Sequence, residues 1–372
     1  MRKILILTSL AAALILAASC NRNNGNENSG QEPSVPDTPV PAAFAKGADI
    51  SWATEMAADG IKFRNAAGEE RECTALMKEL GFDAVRYRVW VNPPEGWCSG
   101  EDVVAKAKVA ESLGMRIMID FHYSDWWADP SRQDIPEAWT DYSFESLCRA
   151  IQEHTRGVLT ALRDEGITPE WVQVGNETSD GMLWDTGKAS VSMSNYAVMT
   201  AAGYNAVKEI FPEAKVIVHL DHGDRPGLYE WIFDGLKANG GKWDIIGMSL
   251  YPEYYAHETE DEYKEGEYTG VTNATLSNAL ALYQKYGTPV MICEAGMTWN
   301  KEDECLAFLT DLLSRARTLG DGEACAGVFY WEPQCNPAWT SDIYKELGWS
   351  SYDKGAFDGN FQPTRALDAF KD

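Results

Sequence analysis

The sequence predicts a single (β/α)8 TIM barrel of the α/β class on three observations. Eight short runs rich in β-branched and aromatic residues recur along the chain, and helical patterns lie between them. Several runs are apolar throughout, such as 117–119 and 216–218, which is typical of parallel strands covered on both faces. Several helical patterns end at a glycine, the common C-terminal stop. An open doubly wound sheet is the alternative, but no Gly-x-Gly-x-x-Gly follows the first run.

The predicted strands and helices alternate along the chain. Strands are predicted at residues 47–51, 84–90, 116–122, 171–176, 215–220, 245–250, 289–293 and 327–331. Helices are predicted at residues 70–80, 103–113, 144–165, 196–210, 229–238, 276–286 and 304–319. Because helical crossovers join the strands, all eight are expected to run parallel and to bring their carboxyl ends to one face of the barrel.

The composition argues against a nucleic-acid partner. The chain has 32 lysines and arginines against 57 aspartates and glutamates, a formal net charge of −25, whereas phosphate binding requires a basic surface. Besides Cys20 there are seven cysteines and no Cys-x-x-Cys pair, so neither a zinc knuckle nor a redox motif is indicated. We expect buried thiols, with one bridge such as Cys325–Cys335 as the alternative.

Polar and aromatic residues stand at the predicted strand ends, where barrel enzymes hold their active sites. These residues are Arg86, His122, Asp125, Asn176, Glu177, Asp221, Tyr251, Glu294 and Trp331. Carboxylates, an amide and aromatic rings that meet at one rim are typical of an enzyme that cleaves a sugar chain.

Glu177 and Glu294 end the fourth and seventh predicted strands and are the predicted catalytic carboxylates. Strands three apart in an eight-stranded barrel place their ends across its mouth. A retaining glycosidase holds its two carboxyl groups about 5–5.5 Å apart, and an inverting one about 6.5–9.5 Å apart. Two other interpretations stay open: rim carboxylates held in salt bridges, or a metal site that uses His219, Asp221 and His222. We expect no metal.

The chain resembles glycoside hydrolase family 53, the endo-β-1,4-galactanases. The resemblance rests on eight motifs in order through the barrel: KGADISW (46–52), VRYRVWVNP (85–93), DFHYSDWWADP (120–130), VGNE (174–177), GMLWDTG (181–187), HLD (219–221), SLYP (249–252) and FYWEP (329–333). It implies retaining endo-hydrolysis of β-1,4-galactan, the side chains of pectic polysaccharides, without an organic cofactor.

The resemblance also implies roles for residues. Glu177 would be the acid/base and Glu294 the nucleophile. Arg86, Asn176 and Tyr251 would surround the nucleophile and the sugar at the cleavage point. The expected substrate contacts are His122, Asp125, Asp221 and Trp331.

One segment departs from the family pattern. Some bacterial members carry a long calcium loop after the seventh strand, whereas residues 295–304 here lead quickly into a helix without alternating oxygen ligands. Calcium is therefore not expected at that loop. Two alternatives to galactanase activity remain: a related barrel enzyme that cleaves another β-1,4-glycan, such as mannan or xylan, and a surface lipoprotein that binds glycan without cleaving it.

The first 45 residues are predicted to export and tether the protein. Arg2 and Lys3 precede an apolar run, which predicts a signal peptide over 1–19, and the ending Ala-Ala-Ser-Cys resembles a bacterial lipobox. Residues 20–45 would be a lipidated Cys20 and a flexible tether, and 46–372 the catalytic domain. This predicts a bacterial lipoprotein of the outer membrane, on the cell-surface or periplasmic side, whose only membrane contact is its lipid. Plain secretion with an unmodified Cys20 is the alternative.

Overall fold

The structure is a computed structural model that describes residues 43–257, 264 and 266–371, without the side chains of 255–257. The predicted signal peptide, Cys20 and nearly all of the predicted tether lie outside the described residues. Those that are described belong to one compact unit.

Eight parallel strands close into one barrel, which confirms the predicted fold. Each strand pairs with its neighbours in the sequence, and the eighth pairs with the first. The strands are β1 (Ala45–Asp49), β2 (Ala84–Val89), β3 (Arg116–Phe121), β4 (Trp171–Val174), β5 (Lys215–Leu220), β6 (Ile245–Leu250), β7 (Val290–Ala295) and β8 (Cys325–Trp331). Every one overlaps a predicted strand.

Helices surround the barrel. They are α1 (Ala53–Ala58), α2 (Cys73–Glu79), α3 (Gly100–Ser112), α4 (Phe144–Asp164), α5 (Ala189–Ile210), α6 (Pro226–Ala238), α7 (Pro252–His257), α8 (Tyr268–Tyr286), α9 (Glu302–Thr318) and α10 (Asp342–Glu346). α5 begins earlier than predicted because its first turn precedes a kink at Ser192, whose backbone is not helical. α8 also begins early, through a Thr-Gly-Val-Thr stretch of low helix propensity.

Side chains alternate along the strands between the helices and the barrel interior. Towards the amino ends of the strands the interior is apolar, and its members are Ala45, Ala84, Met118, Trp171, Ile217, Ile245, Met291, Cys293 and Phe329. Gly47 leaves room for the ring of Phe329, since a Cβ at Gly47 would lie 2.1 Å from its Cδ1. The barrel is thus closed by packed side chains below its mouth.

A charged layer follows the apolar one. Asp49, Arg86 and Asp120 point into the barrel and are each at most 1 % exposed. Asp49 pairs with Arg86 in the strand register. Buried charges of this kind persist only when they are paired. Each charged group in this layer therefore needs a partner of opposite charge or a hydrogen-bond partner beside it.

A bulge in β7 turns Glu294 into the barrel. Ile292 pairs with Met248, but the next pair is Glu294 with Ser249, so Cys293 is an extra residue. With strict alternation Glu294 would point towards the helices, because a shift of one residue reverses the face of a strand side chain. The bulge therefore brings this carboxylate to the barrel mouth.

The cysteines and the helices settle two further points for the described part of the chain. All seven of its cysteines are free thiols and six are buried, as the sequence predicts, and the Cys325–Cys335 bridge is not formed. None of its helices combines the length and apolar character needed to cross a bilayer.

The apolar interior leads to a stability prediction. Gly47→Ala should lower the free energy of unfolding by about 1–3 kcal/mol, because the new methyl group overpacks the barrel against Phe329. Gly157→Ala is the matched control, since Gly157 lies within α4 and a Cβ there would have no atom within 4 Å apart from the backbone of its own helix and its chain neighbours. It should be neutral or slightly stabilising. Thermal unfolding measures both, and an unchanged Gly47→Ala variant would contradict the packing account.

Candidate active site

A cleft of about 1010 Å³ opens at the carboxyl ends of the strands. Loops that follow β3 and β8 contribute much of its wall. Most of the residues that the sequence predicts for the site line this cleft: His122, Asn176, Glu177, Asp221, Tyr251, Glu294 and Trp331. Arg86 lies beneath it and contacts Glu294. The described residues that line it do not include Asp125.

Arg86 connects five strands through its guanidinium group. It is buried on β2 and reaches carboxylates or amides on β1, β3, β4 and β7 or directly after them. Its partners are Asp49 and Asp120 at 2.8 Å, Asn176 at 2.9 Å, Glu294 at 3.0 Å and Gln173 at 3.2 Å. The planar fork of an arginine suits several acceptors at once, so one side chain fixes much of the barrel mouth.

Glu294 is held at both carboxylate oxygens. Arg86 lies 3.0 Å from Oε1, and the hydroxyl of Tyr251 donates to Oε2 at 2.8 Å. Burial raises the pKa of Glu294 to about 7, while Arg86 and Tyr251 act in the opposite direction. The two donors fix the orientation of the carboxylate and favour its ionised form.

Glu177 stands in a turn with a left-handed backbone. Its φ is +44°, and Gly175 two residues earlier has φ +94°. A Cβ at Gly175 would lie 2.6 Å from Thr178, so the turn requires glycine there. The Ser249 hydroxyl donates to Oε1 of Glu177 at 2.6 Å. This turn directs the Glu177 carboxyl group into the cleft.

The pKa of Glu177 lies well above its usual range. Burial is the main cause, and the charges of Glu294 and Asp221 add to it, while the hydrogen bond from Ser249 acts against them. Glu294 has a cationic partner and Glu177 has anionic ones. When one proton is shared by these two carboxyl groups, it therefore resides on Glu177.

The two carboxylates lie close together beside an imidazole. One oxygen of each and one nitrogen of His219 are all within 4.8 Å of one another. A metal does not fit this group, because Nδ1 of His219 faces the amide nitrogen of Gln173 at 2.9 Å and Nε2 faces the Ser249 hydroxyl at 2.9 Å. The separation suits two carboxyl groups that act on one bond.

His122 supports the charged layer from the cleft wall. Its Nδ1 accepts the backbone N–H of Ala128 at 3.1 Å, so Nε2 carries the hydrogen and donates to Asp120 at 3.1 Å. Burial lowers the pKa of His122 although Asp120 acts against it. The ring is therefore neutral, and it holds Asp120 in place for Arg86.

Tryptophans form one wall of the cleft. The ring centroids of Trp52, Trp127 and Trp331 lie 5.3–5.8 Å apart. Beneath them the guanidinium of Arg88 lies 4.1 Å from the Trp127 centroid and pairs with Glu332 at 2.7 Å. Cation–π contact and the buried ion pair fix the rings, which offer flat apolar faces of the kind on which a sugar can stack.

The profile of "Glycosyl hydrolase family 53" matches residues 45–306 of the chain. The chain belongs to glycosyl hydrolase family 53. It is a glycoside hydrolase, as the sequence predicts, and the matched segment holds seven of the eight strands, including both facing glutamates.

Relatives whose names include galactanase match most of the chain. "Endo-beta-1,4-galactanase" of Bacillus subtilis is 29 % identical over 84 % of this chain and 75 % of its own length. "Probable arabinogalactan endo-beta-1,4-galactanase A" of Aspergillus terreus is 31 % identical over 86 % of this chain and 93 % of its own. A solved structure described as one of two fungal β-1,4-galactanases has a TM-score of 0.75, with 26 % identity over 89 % of this chain and 99 % of its own.

Two predicted substrate contacts of this family 53 enzyme differ in placement. Asp221 lines the cleft, accepts a hydrogen bond from the Ser179 hydroxyl and pairs with Nε2 of His222 at 3.3 Å. Asp125 instead accepts the backbone N–H of Glu137 at 2.8 Å and so holds a short helical turn in the loop. In this structure Asp125 supports the wall and does not face the cleft.

Sequence reasoning missed four residues that shape the site: Asp49, Asp120, Gln173 and Ser249. Each is buried and polar within a strand or at its end. The available signal was a polar side chain inside an otherwise apolar strand, two positions before a mouth residue, as Asp120 precedes His122. Since strand side chains alternate, such residues face the same interior as the mouth residues.

Glu253, on α7, lies between two lysines, of which Lys301 belongs to the loop after β7. Glu253 accepts from Thr298 at 2.8 Å and pairs with Lys301 at 2.7 Å and Lys354 at 2.9 Å. Burial opposes ionisation of Glu253, but these donors outweigh it and lower the pKa to about 2. Both oxygens of this carboxylate are therefore held by ammonium groups of the protein itself.

The raised pKa of Glu177 leads to a pH-dependent stability prediction. Below the unfolded-state pKa of about 4.3 Glu177 is protonated in both states and has no effect on this balance. As the pH rises, the unfolded chain loses the proton first, so the buried group increasingly destabilises the fold.

Glu177→Gln should therefore melt at a higher temperature than the wild type at pH 8, by several degrees, and the difference should shrink towards pH 4. Glu111→Gln, on an exposed position of α3, is the control and should change little at either pH. Calorimetry at both values tests this. A Glu177→Gln variant whose advantage is equal at pH 4 and pH 8 would refute the assignment of a raised pKa.

Proposed function

We propose that this family 53 enzyme is a retaining endo-β-1,4-galactanase with Glu177 as acid/base and Glu294 as nucleophile. The observation that carries the proposal is the pair of facing carboxylates, whose nearest oxygens lie within 4.8 Å at the barrel mouth. Their different surroundings support the different roles, because Glu294 meets Arg86 whereas Glu177 meets anionic neighbours.

The proposed reaction has two steps. Glu177 donates its proton to the glycosidic oxygen while the Glu294 carboxylate attacks the anomeric carbon, and the leaving chain departs with the proton. The sugar is then bound to Glu294 through an ester bond. Glu177, now a carboxylate, takes a proton from water as that water attacks the anomeric carbon and releases Glu294. Two inversions give net retention.

The charge of the cleft supports a neutral substrate. The described residues that line the cleft include only one lysine or arginine, Arg132. They include six carboxylates: Asp129, Asp134, Glu177, Asp221, Glu294 and Asp353. A uronic acid chain would meet repulsion there, whereas galactan carries no charge. The names of the Bacillus subtilis and Aspergillus terreus relatives also support galactan.

The size of the cleft supports action within a chain. Its volume of about 1010 Å³ equals the upper end of the range for drug-sized ligands, about 300–1,000 Å³, and is larger than one sugar needs.

The protein partners of His219 and Glu253 support chemistry without a metal. Galactan is then the partner, and no cofactor takes part.

We also propose that the protein is a membrane-anchored lipoprotein of the outer membrane. The support is in the sequence: a basic start, an apolar run and the lipobox-like ending at Cys20. The polar residues that follow would act as a tether between the lipid and the barrel. An anchored enzyme of this kind would release galactan fragments close to the membrane.

Galactan, mannan, xylan and polygalacturonan should separate the functional alternatives. The lipid-free protein should release short oligosaccharides from β-1,4-galactan alone, equally well with EDTA, and leave polygalacturonan intact. Glu294→Gln should lose activity by at least about 10³-fold and keep its fold. Product sizing over time provides the measurement. Release of galactose alone would refute endo action, cleavage of mannan or xylan would refute the substrate, and binding without cleavage would refute catalysis.

Fractionation of cells that express the full chain tests the anchor. The wild type should be in the detergent-extractable membrane fraction, with Cys20 at its N-terminus and the added mass of a diacylglyceryl group. Cys20→Ala should lose that lipid and its membrane attachment. Cys148→Ala is the matched control, because Cys148 lies in the barrel domain, and should stay on the membrane. A soluble, unmodified wild-type protein would contradict the proposal.

A further inference from the structure

Three side chains from adjacent strands form a chain of hydrogen bonds that ends on Glu177. Ser249, on β6, lies with its Oγ 2.6 Å from Oε1 of Glu177 and 2.9 Å from Nε2 of His219. His219 belongs to β5, and Nδ1 at its other side lies 2.9 Å from Nε2 of Gln173 on β4. Ser249 and His219 are both at most 1 % exposed. Water therefore does not replace these contacts.

Arg86 determines which way this chain points. Its Nε donates to Oε1 of Gln173 at 3.2 Å, so the other end of that amide, which faces His219, is the NH2 group. The backbone N–H of Glu177 also faces Nδ1 of His219, at 3.5 Å. Nδ1 thus meets two donors. The one acceptor beside it, Oδ1 of Asn176 at 3.1 Å, already accepts from Arg86.

The tautomer of His219 follows from these partners. Nδ1 accepts, so in the neutral ring Nε2 carries the hydrogen and donates to Oγ of Ser249. The Ser249 oxygen then accepts from His219, and its own hydrogen points to Oε1 of Glu177. Every link donates towards Glu177, from Gln173 through His219 and Ser249.

We propose that His219 and Ser249 are positioning residues that keep Oε1 of Glu177 an acceptor, so that the proton transferred in the reaction is always carried by Oε2. The inference rests on the proposed acid/base role of Glu177. The hydrogen bond from Ser249 becomes charge-assisted when Glu177 has given its proton away, and such bonds are about twice as strong as neutral ones. The chain of donors from Gln173 through His219 to Ser249, here called the relay, thus stabilises the Glu177 carboxylate that must next activate water.

The relay acts against the other groups that face Glu177. These are Glu294 from β7, Asp221 after β5, Asp129 in the loop after β3, and Tyr251 and Tyr254 after β6. The anionic groups among them favour the protonated form of Glu177, whereas Ser249 favours the ionised form. The balance allows one carboxyl group to serve as an acid in the first step and as a base in the second.

Titration of the Glu177 carboxyl carbon by ¹³C NMR tests the relay without any substrate. Ser249→Ala removes the last donor, so the pKa of Glu177 should rise relative to the wild type. Ser249→Thr keeps the hydroxyl group and should titrate like the wild type. In a parallel pair, His219→Gln retains an N–H close to Ser249 and should keep the titration point, whereas His219→Leu should raise it. Glu177→Gln assigns the resonance.

Activity supplies the second measurement. On galactan, the alkaline limb of kcat/KM should move to higher pH in Ser249→Ala, and kcat should fall by about 10-fold because the base step loses its oriented carboxylate. A folded Ser249→Ala protein whose Glu177 titrates as in the wild type would overturn the relay. Wild-type protein that leaves galactan intact while the NMR shift appears would overturn the proposed function and leave the relay supported.

Discussion

The site depends on the ion pairs that the buried guanidinium of Arg86 forms. The guanidinium pairs with Asp49 and Asp120 below the mouth and with Glu294 at the mouth. Loss of such a cation would leave buried carboxylates without a partner, which typically costs about 3–5 kcal/mol. The same group orients the amide of Gln173, which sets the tautomer of His219 and the direction of the hydrogen bonds towards Glu177. One charge thus controls the surroundings of both glutamates.

Two residues of the same type acquire different properties because their neighbours differ. Burial raises the pKa of both glutamates. Glu294, however, is paired with Arg86 and hydrogen-bonded by Tyr251, whereas Glu177 has one hydrogen bond from a serine hydroxyl and faces Asp221. Buried carboxyl groups with raised pKa values destabilise a fold above their unfolded pKa. The barrel tolerates this because its apolar interior and helical shell provide the remaining stability, and active sites commonly retain such locally unfavourable groups.

The sequence predicted the barrel well because a parallel sheet under helices leaves a repeated pattern of apolar strands. The proximity of Glu177 and Glu294 could also be predicted, since the carboxyl ends of the strands meet at one face of the barrel. The sequence could not reveal the β7 bulge, because the register shift at Cys293 depends on pairing with β6. It also could not reveal that the carboxylate of Asp125, an expected substrate contact, accepts the backbone N–H of Glu137. Loop conformation and strand register are set by tertiary contacts, which one sequence does not display.

Covalent trapping of the nucleophile tests the central claim most directly. A 2-deoxy-2-fluoro-galactosyl fluoride should release fluoride and form an ester with Glu294. The fluorine at C2 slows both steps, but the good leaving group keeps the first step fast enough for the ester to accumulate. Mass spectrometry of the digested protein should find the added sugar on the peptide that contains Glu294, and Glu294→Gln should take up none. A label on another carboxylate, or galactan hydrolysis that inverts the anomeric configuration, would contradict the account.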